Sequence, residues 1–224
     1  MQGEPTGYNA VLLDVDGTLV DSNDAHAHAW VESCAEFGHP VAFEKVRRLI
    51  GMGGDKVLPE LTGISEEDEI GQQMKKRRGE IFRERYLPRL QAFPEARALL
   101  ERFTHEGLTL AVATSASRKD MRGLLEQAGI ADLIDEHTSA DDADESKPDP
   151  DIVHAALKRA GVAAGEAVML GDTPYDVESS NRAGVRCVAV RCGGWGDAEL
   201  ADAVAIFDDP ADVLRRYADS PFAG

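Results

Sequence analysis

The chain has 224 residues, of which 43% are hydrophobic and 29% are charged, so it is long enough for one large folded domain or for a domain with an insertion. This ordinary balance excludes a disordered or fibrous protein. The formal net charge of −17 argues against binding to nucleic acid or to an anionic membrane surface, because both partners require a basic surface.

Five apolar stretches, separated by helical patterns, run along the chain. They predict β-strands over residues 9–15, 108–114, 167–170, 186–191 and 203–207. Amphipathic patterns predict helices over residues 94–107, 118–129, 150–161 and 177–184, each of which ends in a glycine. The alternation of strands and helices is typical of a parallel sheet covered by helices. The predicted fold class is therefore α/β, with a Rossmann-like parallel sheet core flanked by helices.

Residues 22–88 interrupt this alternation. The stretch is mostly helical in pattern, contains no clear strand, and is too long for an ordinary connection between two strands. We expect an inserted α-helical cap domain here, joined to the rest of the chain at hinges near residues 19–22 and 88–94. The core domain would then comprise residues 1–21 and 89–224.

The first predicted strand leads into the sequence DVDGTLVDS, which places Asp14 and Asp16 two positions apart. Side chains at positions i and i+2 of an extended chain point to the same side, so two carboxylates there repel each other unless something positive lies between them. A dipositive metal ion or a proton would remove this conflict. The alternative is a solvated turn, since Asp-Gly is a common turn dipeptide.

Polar side chains also follow the other predicted strands. In open α/β sheets, ligands bind outside the carboxyl ends of the strands, so we expect these side chains to meet at one edge. The candidates are Thr114 and Ser115 after the second strand, Asp172 and Asp176 after the third, and Lys147 in the loop SKPDPD. Taken singly, the hydroxyls are also compatible with helix caps, the lysine with a surface residue and the aspartates with turns.

In this order, the four stretches resemble the motifs of the haloacid dehalogenase superfamily of phosphohydrolases. DVDGTLVDS is similar to the first motif of that family, AVATS to the second, SKPDP to the third and GDTPYDV to the fourth. Residues 22–88 lie where the family inserts a helical cap. The resemblance covers essentially the whole chain, and it extends to members such as phosphoglycolate phosphatase and β-phosphoglucomutase.

The resemblance implies a phosphatase in which Asp14 attacks phosphorus and carries an aspartyl-phosphate intermediate. It assigns Asp16 as the general acid and base, which protonates the leaving alcohol and later takes a proton from water. Mg²⁺ is the implied cofactor, because attack by one anion on another needs charge compensation. The implied metal ligands are the Asp14 carboxylate, the Asp16 backbone carbonyl and the Asp172 carboxylate.

The remaining residues at the strand ends are implied to bind phosphate or to support its binding. Lys147 would offset negative charge on the phosphoryl oxygens, while Thr114, Ser115 and nearby backbone N–H groups would hold the phosphoryl group for attack. Asp176 is expected to orient Lys147 or a metal-bound water.

Three features of the predicted cap bear on specificity. The family places a specificity loop where this chain has Gly51, Met52, Gly53 and Gly54, although a flexible turn between helices is an equal alternative. His26 lies where sugar-phosphate mutases of the family also have a histidine, but a packing or capping role is expected here. The run KKRR, residues 75–78, is expected to form a solvated helix face that adds some attraction for phosphates.

These residues predict an enzyme that hydrolyses a small phosphomonoester of the sugar phosphate or phosphoglycolate type. A phosphomutase uses the same Asp14 and Asp16, but the fourth motif reads GD instead of the Glu-Asp pair of the mutases, which favours hydrolysis. A dehalogenase needs neither the leaving-group acid nor the metal, and a phosphonatase needs a cap lysine, for which Lys56 is the candidate. A noncatalytic phosphometabolite sensor is the alternative from a different class.

The expected partner is a small phosphorylated metabolite, and the expected assembly is a monomer or a homodimer. The first ten residues, MQGEPTGYNA, lack a signal-peptide pattern, and no run of 18 apolar residues occurs in the chain. From these two observations we expect a cytoplasmic protein.

Overall fold

The computed structural model describes residues 7–223; residues 1–6 and Gly224, which the predicted core includes, lie outside the described residues. Within that range, six strands form one sheet in which every neighbouring pair is parallel. The strands are β1 (Ala10–Leu13), β2 (Thr109–Ala113), β3 (Glu136–Thr138), β4 (Ala167–Gly171), β5 (Arg186–Val190) and β6 (Ala205–Phe207). Their order across the sheet is β3-β2-β1-β4-β5-β6.

Within the described residues, nine α-helices form two groups: the four that directly follow β1, and the remaining five. The first group is α1 (Asn23–Glu36), α2 (Phe43–Arg47), α3 (Gly54–Thr62) and α4 (Glu69–Ile81). The second group is α5 (Ala96–His105), α6 (Arg118–Gln127), α7 (Asp151–Ala160), α8 (Pro174–Arg182) and α9 (Pro210–Arg215). A π-helical turn, Phe82–Tyr86, continues α4. None of the helices within residues 7–223 is both long and apolar enough to cross a membrane.

The predicted α/β class with a parallel sheet is confirmed, and each of the five predicted strands is present. The strand β3, which was not predicted, has three residues of sequence EHT and lies at the edge of the sheet. This segment has no apolar run, and its one pairing is to the backbone of β2. The segment is therefore identified as a strand by its backbone pairing with β2, and its own residues do not predict one.

The centre of the sheet positions the strand ends. All four residues of β1 are fully buried, with Val11 and Leu13 in one hydrophobic cluster and Ala10 and Leu12 in another. Such burial on both faces is typical of a parallel sheet covered by helices on each side. β1 lies between β2 and β4 in register, so the residues after these three strands emerge together at one edge.

The helices α1–α4 have a hydrophobic cluster of their own, which includes Trp30, Val46, Leu58 and Met74. The two chain segments that connect these helices to the sheet run side by side. The N–H of Asp21 donates to the carbonyl of Gln91 at 3.1 Å, and the N–H of Phe93 donates to the carbonyl of Leu19 at 2.9 Å. A separate core and paired connections are features of an inserted unit, although its boundaries at residues 22 and 88 stay a prediction.

Candidate active site

Asp14 follows β1 at the middle of the sheet edge and is buried. Its N–H donates to the carbonyl of Leu170 at 3.0 Å, which extends the pairing with β4 by one residue. Thr18, in the loop after the strand, has its Oγ1 3.2 Å from Asp14 Oδ2 and 3.1 Å from Asp172 Oδ1. Thus the first and fourth motifs, far apart in the sequence, are joined by one hydroxyl.

Lys147 is fully buried between two of the predicted carboxylates. Its Nζ donates to Asp14 Oδ1 at 2.7 Å and to Asp176 Oδ1 at 2.6 Å. Burial disfavours the charged lysine, but Asp14 and Asp176 outweigh this effect and raise its pKa. Asp176 Oδ2 accepts from the N–H and the hydroxyl of Thr173, at 3.0 and 2.6 Å, in the first turn of α8. Both oxygens of Asp176 are therefore engaged by protein donors.

Asp14, Asp172 and Asp176 form a buried acidic cluster in which one oxygen of each lies within 4.8 Å of the others. Burial raises the pKa of Asp14 to about 7; Lys147 opposes this shift, while Asp176 and Asp16 add to it. Burial also raises the pKa of Asp172, again with the help of its acidic neighbours. One lysine among these carboxylates leaves an excess of negative charge on hard oxygen donors, which fits a divalent metal site. Asp176 accepts from three protein donors, whereas Asp14 and Asp172 have two each and share one of them, the hydroxyl of Thr18. Asp14 and Asp172 therefore have more lone pairs left for an ion.

Asp16 Oδ1 is held by two side chains of the following segment. Ser22 Oγ donates to it at 2.5 Å, and His26 Nε2 lies 2.7 Å away. Arg78 Nη2 lies 2.7 Å from His26 Nδ1; because arginine only donates, Nδ1 accepts and Nε2 carries the proton that Asp16 receives in a hydrogen bond. Burial favours the neutral form of Asp16, but His26, Ser22 and Arg78 outweigh burial and lower its pKa.

His26 has a second role besides the packing or capping that was expected from the sequence. It packs as expected, with its ring stacked on Phe82 at a centroid distance of 3.9 Å, but it also hydrogen-bonds to Asp16. No pattern in the sequence distinguished this second contact, because Asp16 and His26 belong to different elements that meet only in the folded chain.

The expectation of a solvated face over residues 75–78 is wrong for Arg78, whose side chain is only 16% exposed. Besides His26, it contacts Asp120 of α6, with Nη1 2.9 Å from Oδ2. Arg83 donates to the other oxygen of Asp120 at 2.7 Å. Arg78 stands four residues after the buried Met74 and therefore on the same helix face, but its own burial depends on partners that are distant in the sequence.

The second motif places Thr114 and Ser115 at the end of β2. Thr114 is buried, and its Oγ1 accepts from the N–H of Ala116 at 3.1 Å, so this hydroxyl also supports the local turn. Ser115 Oγ is buried and has no hydrogen-bond partner among the described residues. An unpaired hydroxyl in such a position is a donor available to a ligand.

A cavity of about 630 Å³ lies between the sheet edge and the helices α1–α4. Its lining includes Asp14, Asp16, Thr114 and Ser115 on the sheet side, and Trp30, Gly51, Met52, Gly54 and Arg78 on the helical side. Gly53, the remaining residue of the predicted specificity loop, donates its N–H to Ser146 Oγ at 3.0 Å. The loop thus lies against the sheet domain, and three of its residues line the same cavity as Asp14.

Further contacts join the helical segment to the sheet domain. Lys56, the candidate for a phosphonatase lysine, pairs with Glu145 and Asp149, each at 2.8 Å, and is absent from the cavity lining just described. Arg47 Nη2 donates to the carbonyl of Gly193 at 2.5 Å. Asn23 Nδ2 donates to Asp172 Oδ2 at 2.9 Å, a contact that the sequence analysis did not foresee.

Known proteins resemble this chain over most of its length. Residues 11–190 match the family model described as Haloacid dehalogenase-like hydrolase. A phosphoglycolate phosphatase of Rhodospirillum rubrum is 33% identical over 214 residues, which cover 91% of this chain and 88% of that protein.

Two solved structures share the fold over most of the chain. A hydrolase from Pseudomonas syringae has 29% sequence identity and a TM-score of 0.88, and the match covers 94% of this chain and 98% of that one. A putative β-phosphoglucomutase from Bacteroides vulgatus has 26% identity and a TM-score of 0.85, with 99% and 93% covered. The chain therefore belongs to the haloacid dehalogenase-like hydrolase family, as a hydrolase of phosphoric monoesters.

Proposed function

We propose that this hydrolase is a Mg²⁺-dependent phosphatase that cleaves a small phosphomonoester through an aspartyl-phosphate intermediate on Asp14. The observation that carries the proposal is the position of Asp14, which contacts Lys147, belongs to the buried acidic cluster and lines the cavity. A carboxylate so placed is able to attack the phosphorus of a bound ester, while the neighbouring positive charge offsets the charge of the phosphoryl oxygens.

The carboxylates of Asp14 and Asp172, with the backbone carbonyl of Asp16, are the proposed ligands of Mg²⁺. Their fit rests on the donor set, which consists of buried oxygens with an excess of negative charge. When bound, the ion would supply positive charge that favours the ionised form of Asp14 and eases the approach of one anion to another.

The proposed reaction consists of two displacements with balanced proton transfers. In the first, an oxygen of Asp14 bonds to phosphorus, the bond from phosphorus to the ester oxygen breaks, and Asp16 gives its proton to the leaving oxygen. In the second, water attacks phosphorus, the bond to Asp14 breaks, and Asp16 takes a proton from the water. The products are the alcohol and inorganic phosphate.

Asp16 needs both protonation states in this sequence. Its surroundings lower its pKa and so favour the carboxylate, which is the form that accepts a proton from water. A bound phosphomonoester dianion would raise the pKa of Asp16 by like-charge repulsion and favour the acid form at the start of the cycle. Ser22 and His26 both hold Oδ1, so Oδ2 is the oxygen left to exchange a proton with the substrate.

Residues 22–88 are proposed to be the cap, and the rest of the chain the core. The paired connections near residues 19–22 and 88–94 would serve as its hinge. Docked on the core, the cap would exclude water while the phosphoryl group moves to Asp14, and it would open to admit substrate and release product. The loop Gly51 to Gly54 would then contact the leaving group, which supports a role in specificity.

The charges of the cavity favour a leaving group with hydroxyls over one with a second anionic group. Of the four lysines and arginines in its lining, Lys75, Arg78 and Arg83 are already paired with Glu66 or Asp120, and Lys76 has no ion pair among the described residues. The lining also contains other carboxylates, among them Asp55, Glu67, Asp141 and Asp144. Carboxylates accept hydrogen bonds from hydroxyls and repel a second anion. We therefore favour a sugar or polyol phosphate over the phosphoglycolate in the name of the Rhodospirillum rubrum relative.

The test is a panel of phosphomonoesters incubated with the full chain, with Mg²⁺ or with excess chelator. The panel contains pentose and hexose phosphates, phosphoglycolate and p-nitrophenyl phosphate, and both inorganic phosphate and organic products are measured. We expect Mg²⁺-dependent phosphate release, fastest on a sugar or polyol phosphate. An isomerised sugar phosphate without release of inorganic phosphate would indicate a mutase, and binding without turnover of any compound would indicate a sensor. If phosphate were released fastest from phosphoglycolate, the preference for a sugar or polyol leaving group would be wrong, but the proposed phosphatase activity would stand.

A further inference from the structure

Asn23 connects the proposed cap to the acidic cluster. It is the first residue of α1 and is buried, yet its Nδ2 donates to Asp172 Oδ2 at 2.9 Å, although the two residues are 149 positions apart. The same Nδ2 lies 3.4 Å from the carbonyl of Gly193, in the loop after β5. One amide of the helical segment therefore contacts a side chain and a backbone carbonyl of the sheet domain.

Each oxygen of Asp172 lies within hydrogen-bond distance of one neutral donor, and the hydroxyl beside Oδ1 is shared with Asp14. Thr18 Oγ1 lies 3.1 Å from Oδ1, and Asn23 Nδ2 lies 2.9 Å from Oδ2. The terminal torsion of an aspartate is broad, so donors on both oxygens are what orients its carboxylate. A neutral amide also brings no charge of its own and does not compete with a cation for Asp172, as a lysine would.

The backbone around this contact leaves no room for side chains. A Cβ atom on Gly17, whose φ is 82°, would overlap both the amide of Asn23 and the carboxylate of Asp172. A Cβ on Gly193 would overlap the same carboxylate. Two glycines from separate loops therefore enclose the pair, and Asp172 is unable to turn away without displacing Asn23 or the backbone.

The carbonyl of Gly193 also accepts from Arg47 of α2, at 2.5 Å from Nη2. The Nε of the same guanidinium lies 2.7 Å from Asp24 Oδ1, next to Asn23 in the chain. Asn23 and Arg47 thus meet the sheet domain at one carbonyl, and a movement of α1 and α2 away from Gly193 would withdraw both donors together.

We propose that Asn23 is a positioning residue that orients Asp172 for metal binding and couples that binding to docking of the helical segment on the sheet domain. The inference rests on the proposed function in one respect, namely that Asp172 is a ligand of Mg²⁺. Because coupling between two sites is reciprocal, docking raises the affinity for the ion and the ion stabilises docking by the same factor.

The first measurement is the dissociation constant for Mg²⁺, determined by titration calorimetry without substrate on the wild type and on Asn23→Ala. Loss of a residue that orients a metal ligand typically weakens metal binding about 10–100-fold, and we expect a change in that range. Ser33→Ala is the matched control, since it also removes a buried hydrogen bond of α1, but both partners of that bond, Ser33 and the carbonyl of Met74, lie within the helical segment. The control should keep the wild-type affinity.

The second measurement is hydrogen exchange of the α2 amides, with and without Mg²⁺. Bound ion should slow exchange in α2 in the wild type, and Asn23→Ala should lose this protection. Arg47→Ala removes a docking contact but no contact to Asp172, so a severalfold weaker affinity for Mg²⁺ in this variant would reflect coupling and not lost ligation. The wild-type exchange and the Arg47 variant test the coupling even if Asn23→Ala does not fold.

The outcomes separate this inference from the proposed function. If the wild type binds Mg²⁺ and turns over substrate, but Asn23→Ala binds the ion within twofold of wild type, the positioning role is wrong and the phosphatase proposal stands. If Mg²⁺ does not change the rate of hydrogen exchange in α2, and Arg47→Ala keeps the wild-type affinity for Mg²⁺, the proposed coupling between metal binding and docking is wrong. A wild type that binds no Mg²⁺ would overturn both proposals.

Discussion

Replacing Lys147 by methionine would remove the one cation that contacts both Asp14 and Asp176 while keeping most of the side-chain volume. The lysine is fully buried, and its Nζ lies 2.7 and 2.6 Å from the two carboxylates. Removing one partner of a buried ion pair typically costs about 3–5 kcal/mol, because the remaining charge stays in the protein without compensation. Two carboxylates lose their partner here, so we expect Lys147→Met to lower the free energy of unfolding by at least the lower end of that range.

The loss should depend on pH in a defined direction. Burial already raises the pKa of Asp14 to about 7, and Lys147 opposes this shift, so the variant should raise it further. A carboxyl whose pKa is raised in the folded state contributes stability that is present below its unfolded pKa of about 3.9 and is lost as the pH rises through the folded pKa. The destabilisation should therefore be largest near pH 8 and smaller near pH 5.

Urea unfolding of wild type, Lys147→Met and Lys158→Met at pH 5 and pH 8, in excess chelator, measures both effects. Lys158 is an exposed residue of α7, and its replacement should change the free energy of unfolding by less than about 0.5 kcal/mol. If Lys147→Met unfolds within about 1 kcal/mol of wild type at pH 8, or if its deficit grows as the pH falls, the account of Lys147 as the compensating charge is refuted.

Three further predictions concern catalysis. Asp14→Asn should abolish turnover, because the amide is not a nucleophile in this reaction. A rate within about tenfold of wild type, roughly 1.4 kcal/mol in the barrier, would contradict the role of Asp14 as the nucleophile. Asp172→Ala should weaken Mg²⁺ binding in calorimetry, and excess chelator should abolish the activity of the wild type. Full activity in excess chelator would show that the reaction does not require Mg²⁺. Met52→Ala should change kcat/KM for a sugar phosphate at least about threefold more than for p-nitrophenyl phosphate. An equal loss of kcat/KM on both substrates would show that the loop Gly51 to Gly54 does not set specificity.

The residues at the strand ends were predictable because their positions follow from local patterns. β1, β2 and β4 are short apolar runs, and a parallel sheet in register brings whatever follows such runs to the same edge. Asp14, Thr114 and Asp172 therefore come together without any knowledge of side-chain contacts. The loop with Lys147 follows no apolar strand, and its prediction depended on the family motif.

Other parts of the site were out of reach for local patterns. The edge strand β3 has no apolar run of its own and exists through pairing with β2. Arg78 looks like a member of a charged helix face, but it is removed from solvent by His26 and Asp120, which lie 52 and 42 residues away. A charged residue is assigned to the surface by default, and only a buried partner reverses that assignment.

The sequence by itself determined the α/β class, the alternation of helices with five of the six described strands, and the acids at the sheet edge, because hydrophobic periodicity and strand direction are local properties. The tertiary structure alone decided which donor meets which carboxylate: Lys147 between Asp14 and Asp176, His26 on Asp16, and Asn23 on Asp172. These contacts join residues from separate elements at distances of about 3 Å. The contacts of His26 and Asn23 depend on how the helical segment packs against the sheet domain. The contact of Lys147 depends on how its loop meets the ends of β1 and β4, and no local stretch of sequence encodes either arrangement.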